Sequence, residues 1–157
     1  MILKIFKQIY IKYFMNKEVR LMFLNENEIL NYVDEVNLLL KSAYVPYSKF
    51  PVAALLIDNN GNKHKGVNVE NASFGLTICA ERNAITTAVT ENMKKIKLLV
   101  ITGNTFEPIS PCGACRQVIR EFSDKDTIII LANKDNKYKI TSIEELLPYS
   151  FGAEDLE

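Results

Sequence analysis

The stretch "PCGACRQVIREF", residues 111–122, decides how the rest of the sequence is interpreted. Cys112 and Cys115 form a C-x-x-C pair at the start of a predicted helix, and such a pair is half of a metal site. The chain has three cysteines, and the remaining one, Cys79, lies in "TICAERNAI" at the start of another predicted helix. These cysteines leave three interpretations open: a structural zinc site, a redox pair or a catalytic metal site.

The composition indicates one globular domain. The chain has 157 residues, of which 48% are hydrophobic and 24% charged, and a chain of this size buries roughly two thirds of its unfolded surface. The formal net charge is zero, and no basic stripe with interleaved aromatic residues occurs, which argues against nucleic acid as a partner. An odd number of cysteines favours reduced thiols in the cytoplasm over a disulfide framework. We therefore expect a cytoplasmic protein with a small polar partner and no membrane span.

The first 21 residues differ from the rest of the chain, with five Lys or Arg and one Glu among Ile, Phe and Tyr. One interpretation is a basic amphipathic helix on a membrane surface. A signal peptide is disfavoured because lysines interrupt every apolar stretch and no small-residue cleavage site follows. We predict that residues 1–21 are an extension, disordered or outside the fold, and that residues 22–157 form the domain.

Turn and cap residues divide the remaining sequence into regular elements. Asn25 and Glu28 have the spacing of a capping box before an amphipathic helix, and the turn at Asn60 and Gly61 predicts a hairpin between "PVAALLI" and "NKHKGVNV". The sequence next predicts a helix from about Cys79 to Glu91, a strand at "KLLVIT", a helix at "CGACRQVIREF", strands at "TIIILAN" and "KYKIT", and a short helix at "SIEELL". This alternation predicts an α/β fold with a mainly parallel sheet and helices on both faces.

The cysteines offer a metal three ligands and leave its fourth position open. A helix N-terminus lowers the pKa of a thiol, and zinc binds the thiolate. Structural zinc sites are closed by four protein ligands, whereas catalytic sites keep one position for water. The single histidine, His64, lies just past the hairpin turn among lysines, so we expect it to be solvated and not to complete the site.

Glu81 lies two residues after Cys79, at the start of the same predicted helix. From there its carboxylate can reach a water at the open position and act as an acid and base. The order C-x-E followed by P-C-x-x-C is the signature of zinc deaminases, with cysteine here as the first ligand. A redox pair is disfavoured because a thioredoxin-like site would follow the first strand and would not need Cys79.

Four longer stretches carry a family resemblance that extends from about residue 26 to the C-terminus: "AYVPYSKFPVAALL", "GVNVENASFGLTICAERNAI", "PCGACRQVIREF" and "LLPYSFGAEDL". Together they resemble the small, homotetrameric, three-cysteine type of cytidine deaminase. The resemblance implies a three-layer α/β/α fold with a central mixed five-stranded sheet. It also implies hydrolytic deamination of cytidine and deoxycytidine in pyrimidine salvage. In that reaction Cys79, Cys112 and Cys115 hold one Zn²⁺ per subunit and Glu81 moves protons.

The resemblance further implies how the nucleoside substrate is bound. Asn68 and Glu70 alternate at the end of a predicted strand and so share one face, and the family match assigns them the sugar hydroxyls. Phe50 matches an aromatic residue that packs on the pyrimidine ring. The backbone N–H of Ala80 would face the 2-oxo group of the ring.

Two more residues receive roles from the resemblance alone. Arg82 matches an arginine that hydrogen-bonds the thiolates and offsets their excess negative charge at zinc. Phe151 matches a phenylalanine that reaches into the site of a neighbouring subunit. The resemblance therefore implies a homotetramer with shared active sites.

Two alternatives to cytidine deamination remain open at this point. A deaminase of a related nucleoside such as blasticidin S would share the zinc motifs, although "NVENA" and "PYSKF" favour cytidine. A non-catalytic zinc-stabilised domain would keep the cysteines but would have no use for Glu81. Comparing turnover of the two nucleosides and measuring zinc content would separate these possibilities.

Overall fold

The computed structural model describes residues 24–156, and the chain divides into two units between Asn31 and Tyr32. Its regular elements are α1 (Glu26–Asn37), β1 (Val52–Asp58), β2 (Lys63–Val67), α2 (Ala80–Thr90), β3 (Ile96–Gly103), α3 (Gly113–Glu121), β4 (Ile128–Ala132), β5 (Tyr138–Thr141) and α4 (Ile143–Leu146). The predicted domain boundary after residue 21 lies outside the described residues. None of the helices within residues 24–156 has the length and hydrophobicity needed to cross a membrane.

The first helix begins where the capping-box spacing predicts. The backbone N–H of Asn25 donates to Glu28 Oε2 at 2.9 Å, and the backbone N–H of Glu28 donates to Asn25 Oδ1 at 2.9 Å. Each side chain thus satisfies a backbone donor that the start of a helix leaves without a partner. Helix α1 follows directly, from Glu26.

The five strands form one mixed sheet in the order β2-β1-β3-β4-β5. Only β3 and β4 are parallel, and the other three pairs are antiparallel. The expectation of a mainly parallel sheet is therefore wrong. Short turns join β1 to β2 and β4 to β5, and a short turn forces its strands to be antiparallel. After β2, helix α2 crosses over the sheet and the chain returns as β3 on the other side of β1. Strand β3 therefore runs parallel to β2 and antiparallel to β1.

Helices cover both faces of this sheet, as the family resemblance implies. Because side chains alternate along a strand, β1 and β3 each present two sets of residues. One face packs against α2 and α3 in a core that includes Ala54, Leu56, Ala84, Ile85, Leu99, Ile101 and Ile119. On the opposite face, the buried Thr102 hydroxyl donates to Asn37 Oδ1, at the end of α1, at 2.6 Å. The three-layer α/β/α arrangement is confirmed.

Strand β2 lies directly against the first turn of α2 at Gly66. A Cβ atom at this position would overlap the carbonyl oxygen of Ala80 and the backbone nitrogen of Ala84. A second contact, from Asn83 Nδ2 to the carbonyl oxygen of Val67 at 2.8 Å, holds the same turn to the end of β2. The backbone of β2 thus sets the position of the helix start that carries Glu81.

We expect Gly66→Ala to lower the free energy of unfolding by about 3 kcal/mol, the upper range for overpacking, because backbone rather than a flexible side chain has to move. Urea denaturation monitored by circular dichroism measures the change. Gly75→Ala is the matched control, since a Cβ there meets nothing within 4 Å, and its effect should stay within about 0.5 kcal/mol. Equal stability of the two variants would contradict the close approach at Gly66.

Candidate metal centre

Two helix starts bring the three cysteines together. Cys79 is the N-cap residue of α2 and Cys112 is the N-cap residue of α3, where its Sγ accepts a hydrogen bond from the backbone N–H of Cys115 at 3.5 Å. The C-x-x-C spacing thus places one sulfur at the cap and the other in the first turn of the same helix. Helices α2 and α3 pack against each other, so the sulfur of Cys79 lies next to those of Cys112 and Cys115.

The geometry of the three sulfur atoms fits a zinc ion. All three Sγ atoms lie within 4.8 Å of one another, and those of Cys79 and Cys112 are 4.0 Å apart. Sulfur atoms around tetrahedral zinc with bonds of about 2.3 Å are about 3.8 Å apart. The distances between the sulfur atoms are therefore within about 1 Å of those around a zinc ion, and the all-sulfur donor set suits zinc.

The thiols of Cys79 and Cys115 differ in acidity. The hydrogen bond with Cys115 and those with Arg82 and Cys112 lower the pKa of Cys79 to about 5, although burial opposes the shift. The same hydrogen bond with Cys79, together with burial, raises the pKa of the Cys115 thiol. These opposite shifts favour negative charge on Cys79 and a proton on Cys115. Binding a metal at all three sulfurs would displace that proton.

Glu81 lies in the first turn of α2, and its side chain is almost entirely buried, with 4% of the residue exposed. Burial raises the pKa of this carboxyl, and the charge on Cys79 adds to the rise. Its Oε2 atom is buried without a hydrogen-bond partner in the described structure. A buried oxygen without a partner is costly, and here it leaves an acceptor available next to the cysteines.

Arg82 contacts the thiol of Cys79. Its guanidinium donates to the carbonyl oxygen of Thr77 at 3.0 Å and approaches Cys79 Sγ at 3.9 Å. The first bond orients the guanidinium, and the second places positive charge beside the thiolate. The arrangement can offset part of the negative charge that three thiolates would bring.

Both predicted sugar-binding residues hydrogen-bond to backbone groups at the start of β1 or just before it. Asn68 accepts from the backbone N–H of Val52 at 2.9 Å and donates to the carbonyl oxygen of Phe50 at 2.9 Å. Glu70 accepts from the backbone N–H groups of Tyr47 and Ser48 at 2.9 and 3.2 Å. Each side chain keeps further hydrogen-bonding capacity, so these contacts position the pair and leave sugar binding possible.

The two predicted aromatic contacts are exposed in the isolated chain. Phe50 is 43% exposed and Phe151 is 58% exposed. The carbonyl oxygen of Phe151 accepts from Gln117 Nε2 at 3.0 Å, which ties this segment to α3. Ala80 is buried in the first turn of α2, where a backbone N–H has no partner within the helix.

The expectation that His64 is solvated is wrong. Its side chain is fully buried, with Nε2 3.2 Å from Asp58 Oδ2 and Nδ1 2.9 Å from Glu91 Oε2. The alternation along β2 turns His64 and Gly66 inward while the neighbouring lysines face outward. Within residues 24–156, the three cysteines are the one group with metal-binding geometry, so His64 does not complete the site.

The sequence analysis did not identify the roles of Gly66 and Asn83, which position the start of α2 against β2. The sequence did contain a signal for Gly66, because "KHKGV" has the period-two alternation of a strand that is buried on one face. It contained no signal that the opposing surface is helix backbone, which follows only from the crossover that places α2 on β2.

The sequence and the fold both match proteins of one family. The family model described as the cytidine and deoxycytidylate deaminase zinc-binding region matches residues 26–131. A cytidine deaminase from Sporosarcina psychrophila is 44% identical over 116 residues, which are 74% of this chain and 85% of that protein. A cytidine deaminase from Mycoplasma genitalium is 42% identical over 120 residues, covering 76% of this chain and 92% of that protein.

Solved structures give the same result for the fold. The crystal structure of cytidine deaminase from Burkholderia pseudomallei superposes with a TM-score of 0.73 at 36% identity, covering 82% of this chain and 100% of that one. The cytidine deaminase from Mycobacterium tuberculosis superposes with a TM-score of 0.68 at 29% identity, covering 82% of this chain and 98% of that one.

Proposed function

The chain belongs to the cytidine and deoxycytidylate deaminase family, and from that membership we propose that it deaminates cytidine and deoxycytidine to uridine and deoxyuridine by zinc-dependent hydrolysis, with release of ammonia. One observation carries the proposal. Three cysteine sulfurs lie within 4.8 Å of one another at two helix starts, beside a buried glutamate with an unpartnered oxygen. A purely structural zinc site would be closed by a fourth protein ligand and would gain nothing from that glutamate.

Cys79, Cys112 and Cys115 would hold the zinc ion. When bound, zinc supplies Lewis acidity that allows water to react near neutral pH. Arg82 stays against Cys79 and offsets part of the thiolate charge, which preserves that acidity.

Glu81 moves the protons of the reaction. Its free oxygen accepts a proton from the attacking water and delivers it to N3 of the pyrimidine, which makes C4 more electrophilic. The raised pKa of the carboxyl lets it hold the proton between these steps. The same group then takes the proton from the new hydroxyl on C4 and passes it to the amino group, which leaves as ammonia while the C4 carbonyl of uridine forms.

Backbone and side-chain contacts orient the nucleoside. Asn68 and Glu70 bind the sugar hydroxyls with the hydrogen-bonding capacity that their backbone contacts leave free. Phe50 packs on the ring, and the backbone N–H of Ala80 donates to the 2-oxo group. Supporting this arrangement, the backbone bonds of Asn68 and Glu70 hold both residues rigidly beside the segment that carries Phe50.

A homotetramer with shared active sites completes the pocket. The isolated chain leaves large aromatic side chains exposed on the segments around the sugar-binding pair: Tyr44, Tyr47, Phe50 and Phe74. Those of Tyr47 and Phe74 contact edge to face, with ring centroids 6.0 Å apart. An exposed aromatic surface of this kind favours a protein–protein interface, and in it Phe151 of one subunit closes the site of the next.

We expect Phe151→Ala to weaken cytidine binding by ~1 to 3 kcal/mol, the scale for losing an aromatic anchor in a desolvated pocket. Steady-state kinetics give the change in KM and kcat, and light scattering should give a tetramer for the wild-type protein. Phe106→Ala removes an equally large exposed aromatic side chain elsewhere and serves as the control. A fully active monomer, or unchanged kinetics for Phe151→Ala, would remove this residue from the site.

The test of the function is the loss of cytidine absorbance with and without a chelator. We expect turnover that stops in chelator and returns with added zinc. Blasticidin S, assayed in parallel, distinguishes the related deaminase, which would turn it over in preference to cytidine. Bound zinc without turnover of either nucleoside would indicate the non-catalytic domain.

The cellular setting proposed here is pyrimidine salvage in the cytoplasm. Three free cysteines favour a reducing compartment, where thiols persist. Nucleic acid is not a proposed partner, since the formal net charge is zero and a phosphate backbone is bound through excess positive charge.

A further inference from the structure

The segment that follows α4, residues 148–156, carries Phe151 but packs little of its own surface. Along the chain, the hydrophobic core of the described residues ends at Leu147, and most side chains of the segment are exposed. Tyr149 is fully exposed and has a φ of 55°, a conformation that costs free energy for a residue other than glycine. The position of Phe151 therefore depends on contacts other than core packing.

Helix α3 holds this segment through polar side chains. Gln117 Nε2 donates to the carbonyl oxygen of Phe151 at 3.0 Å. Arg120 Nε donates to Ser150 Oγ at 3.0 Å, and the Nη2 of the same guanidinium forms an ion pair with Glu154. Because positions 117 and 120 are three residues apart, they are neighbours on the surface of the helix. They hold residue 151 itself and the residues on both sides of it.

The turn after Phe151 is built around Gly152, which is buried. A Cβ atom at this position would overlap the side chain of Glu154, so the glycine leaves room for that carboxylate to turn toward Arg120. The backbone N–H of Gly152 donates to Asp155 Oδ2 at 2.8 Å, and the backbone N–H of Asp155 donates to the carbonyl oxygen of Gly152 at 3.0 Å. The turn is thus closed by its own hydrogen bonds, and Arg120 attaches it to α3.

The helix that holds the segment also carries two of the cysteines. Cys112 and Cys115 lie at the start of α3, and Gln117 and Arg120 follow on the same helix. In the proposed tetramer, Phe151 enters the site of a neighbouring subunit. Helix α3 would then position two metal ligands of one site and the aromatic side chain that closes another.

We propose that Arg120, together with Gln117, is a positioning residue that fixes the segment carrying Phe151 before this side chain meets the nucleoside in the neighbouring subunit. Ordering a loop during binding costs free energy, which a segment that is already held avoids. Apparent affinity also falls in proportion to the fraction of molecules in the competent conformation. The effect on cytidine rests on the proposed function, whereas the contacts of Arg120 with the segment do not.

Arg120→Met tests the effect on cytidine, because methionine suits a helix but cannot hold the segment. We expect KM to rise about 2- to 10-fold, the range for one net hydrogen bond, and kcat to stay unchanged, since Glu81 and the cysteines are not altered. Arg120→Lys keeps a charge for Glu154 and should restore part of the loss. Lys125→Met removes an exposed positive charge just past the end of α3 and, as the matched control, should keep the wild-type KM.

A double-mutant cycle with Phe151→Ala tests whether Arg120 acts through Phe151. If it does, Arg120→Met causes no further rise in KM once the aromatic side chain is absent. An equal rise in both backgrounds would overturn the positioning. Glu154→Ala breaks the same ion pair from its more exposed partner and provides the measurement if Arg120→Met does not fold.

Hydrogen exchange measured by mass spectrometry follows the segment without any substrate. The backbone N–H groups of Gly152 and Asp155 are hydrogen-bonded in the turn, so peptides covering residues 149–156 should show protection in the wild-type protein. We expect Arg120→Met to accelerate exchange in these peptides and Lys125→Met to leave it unchanged. Exchange at the wild-type rate in Arg120→Met would show that Arg120 does not hold the segment.

The two measurements distinguish failure of the positioning from failure of the proposed function. Faster exchange with a wild-type KM would give Arg120 a structural role only and overturn the positioning. A wild-type protein that does not turn over cytidine would contradict the proposed function instead. The exchange measurement would then decide by itself whether Arg120 holds the segment.

Discussion

Glu81→Gln is expected to lower kcat for cytidine by ~10² to 10⁴-fold, the contribution typical of a general acid–base group. Glutamine keeps the size of the side chain and its hydrogen-bonding capacity but cannot carry the proton from water to the pyrimidine. Glu81 is buried and its Oε2 has no hydrogen-bond partner in the described structure, so this oxygen is available to carry the proton in the wild-type protein.

The control for this variant is its zinc content, which should match that of the wild-type protein because Glu81 is not a proposed ligand. Cytidine binding should also persist, since the sugar and ring contacts are unchanged. Turnover close to the wild-type rate would show that Glu81 has been assigned the wrong role. Loss of both zinc and turnover would show that Glu81 acts on the metal site instead.

Removing zinc is expected to abolish deamination entirely and reversibly. The purified protein should contain close to one zinc per chain, because three thiols at two preformed helix starts form a high-affinity site. Metal analysis before and after dialysis against a chelator measures the content, and added zinc should restore turnover.

Cys115→Ala tests the same site from the protein side. Cys115 is fully buried and its sulfur lies within 4.8 Å of those of the other two cysteines, so its removal should eliminate both stoichiometric zinc and turnover. Ala114→Ser, an exposed neighbour on α3, is the matched control and should retain both. Full activity of a zinc-free protein would refute the mechanism.

The parts of the fold that depend on local chemistry could be predicted from the sequence. Asn25 and Glu28 cap α1 reciprocally, as their spacing predicts. Gly61, at a φ of 89°, forms the hairpin turn that the Asn-Gly pair predicts. The C-x-x-C spacing likewise places Cys112 and Cys115 at one helix start. Each of these features depends on residues that are close together in the sequence.

The missed features depend on residues that are distant in sequence. His64 lies between lysines, and its burial follows from a contact with Glu91, at the far end of the next helix. The direction of β3 relative to β1 follows from the side of the sheet to which the α2 crossover returns, which no local pattern encodes. The resemblance supplied the correct mixed sheet where strand alternation alone predicted a mainly parallel one.

The sheet order affects how the protein resists aggregation. Strands β2 and β5 lie at the two edges of the sheet, and an edge strand can pair with the backbone of another chain. Lys63 and Lys65 on β2 and Lys139 on β5 are exposed, and lysines on an edge disfavour such pairing because like charges would meet. The edge lysines therefore disfavour uncontrolled strand pairing between chains, and the tetramer proposed above would use the exposed aromatic side chains around Phe50 instead.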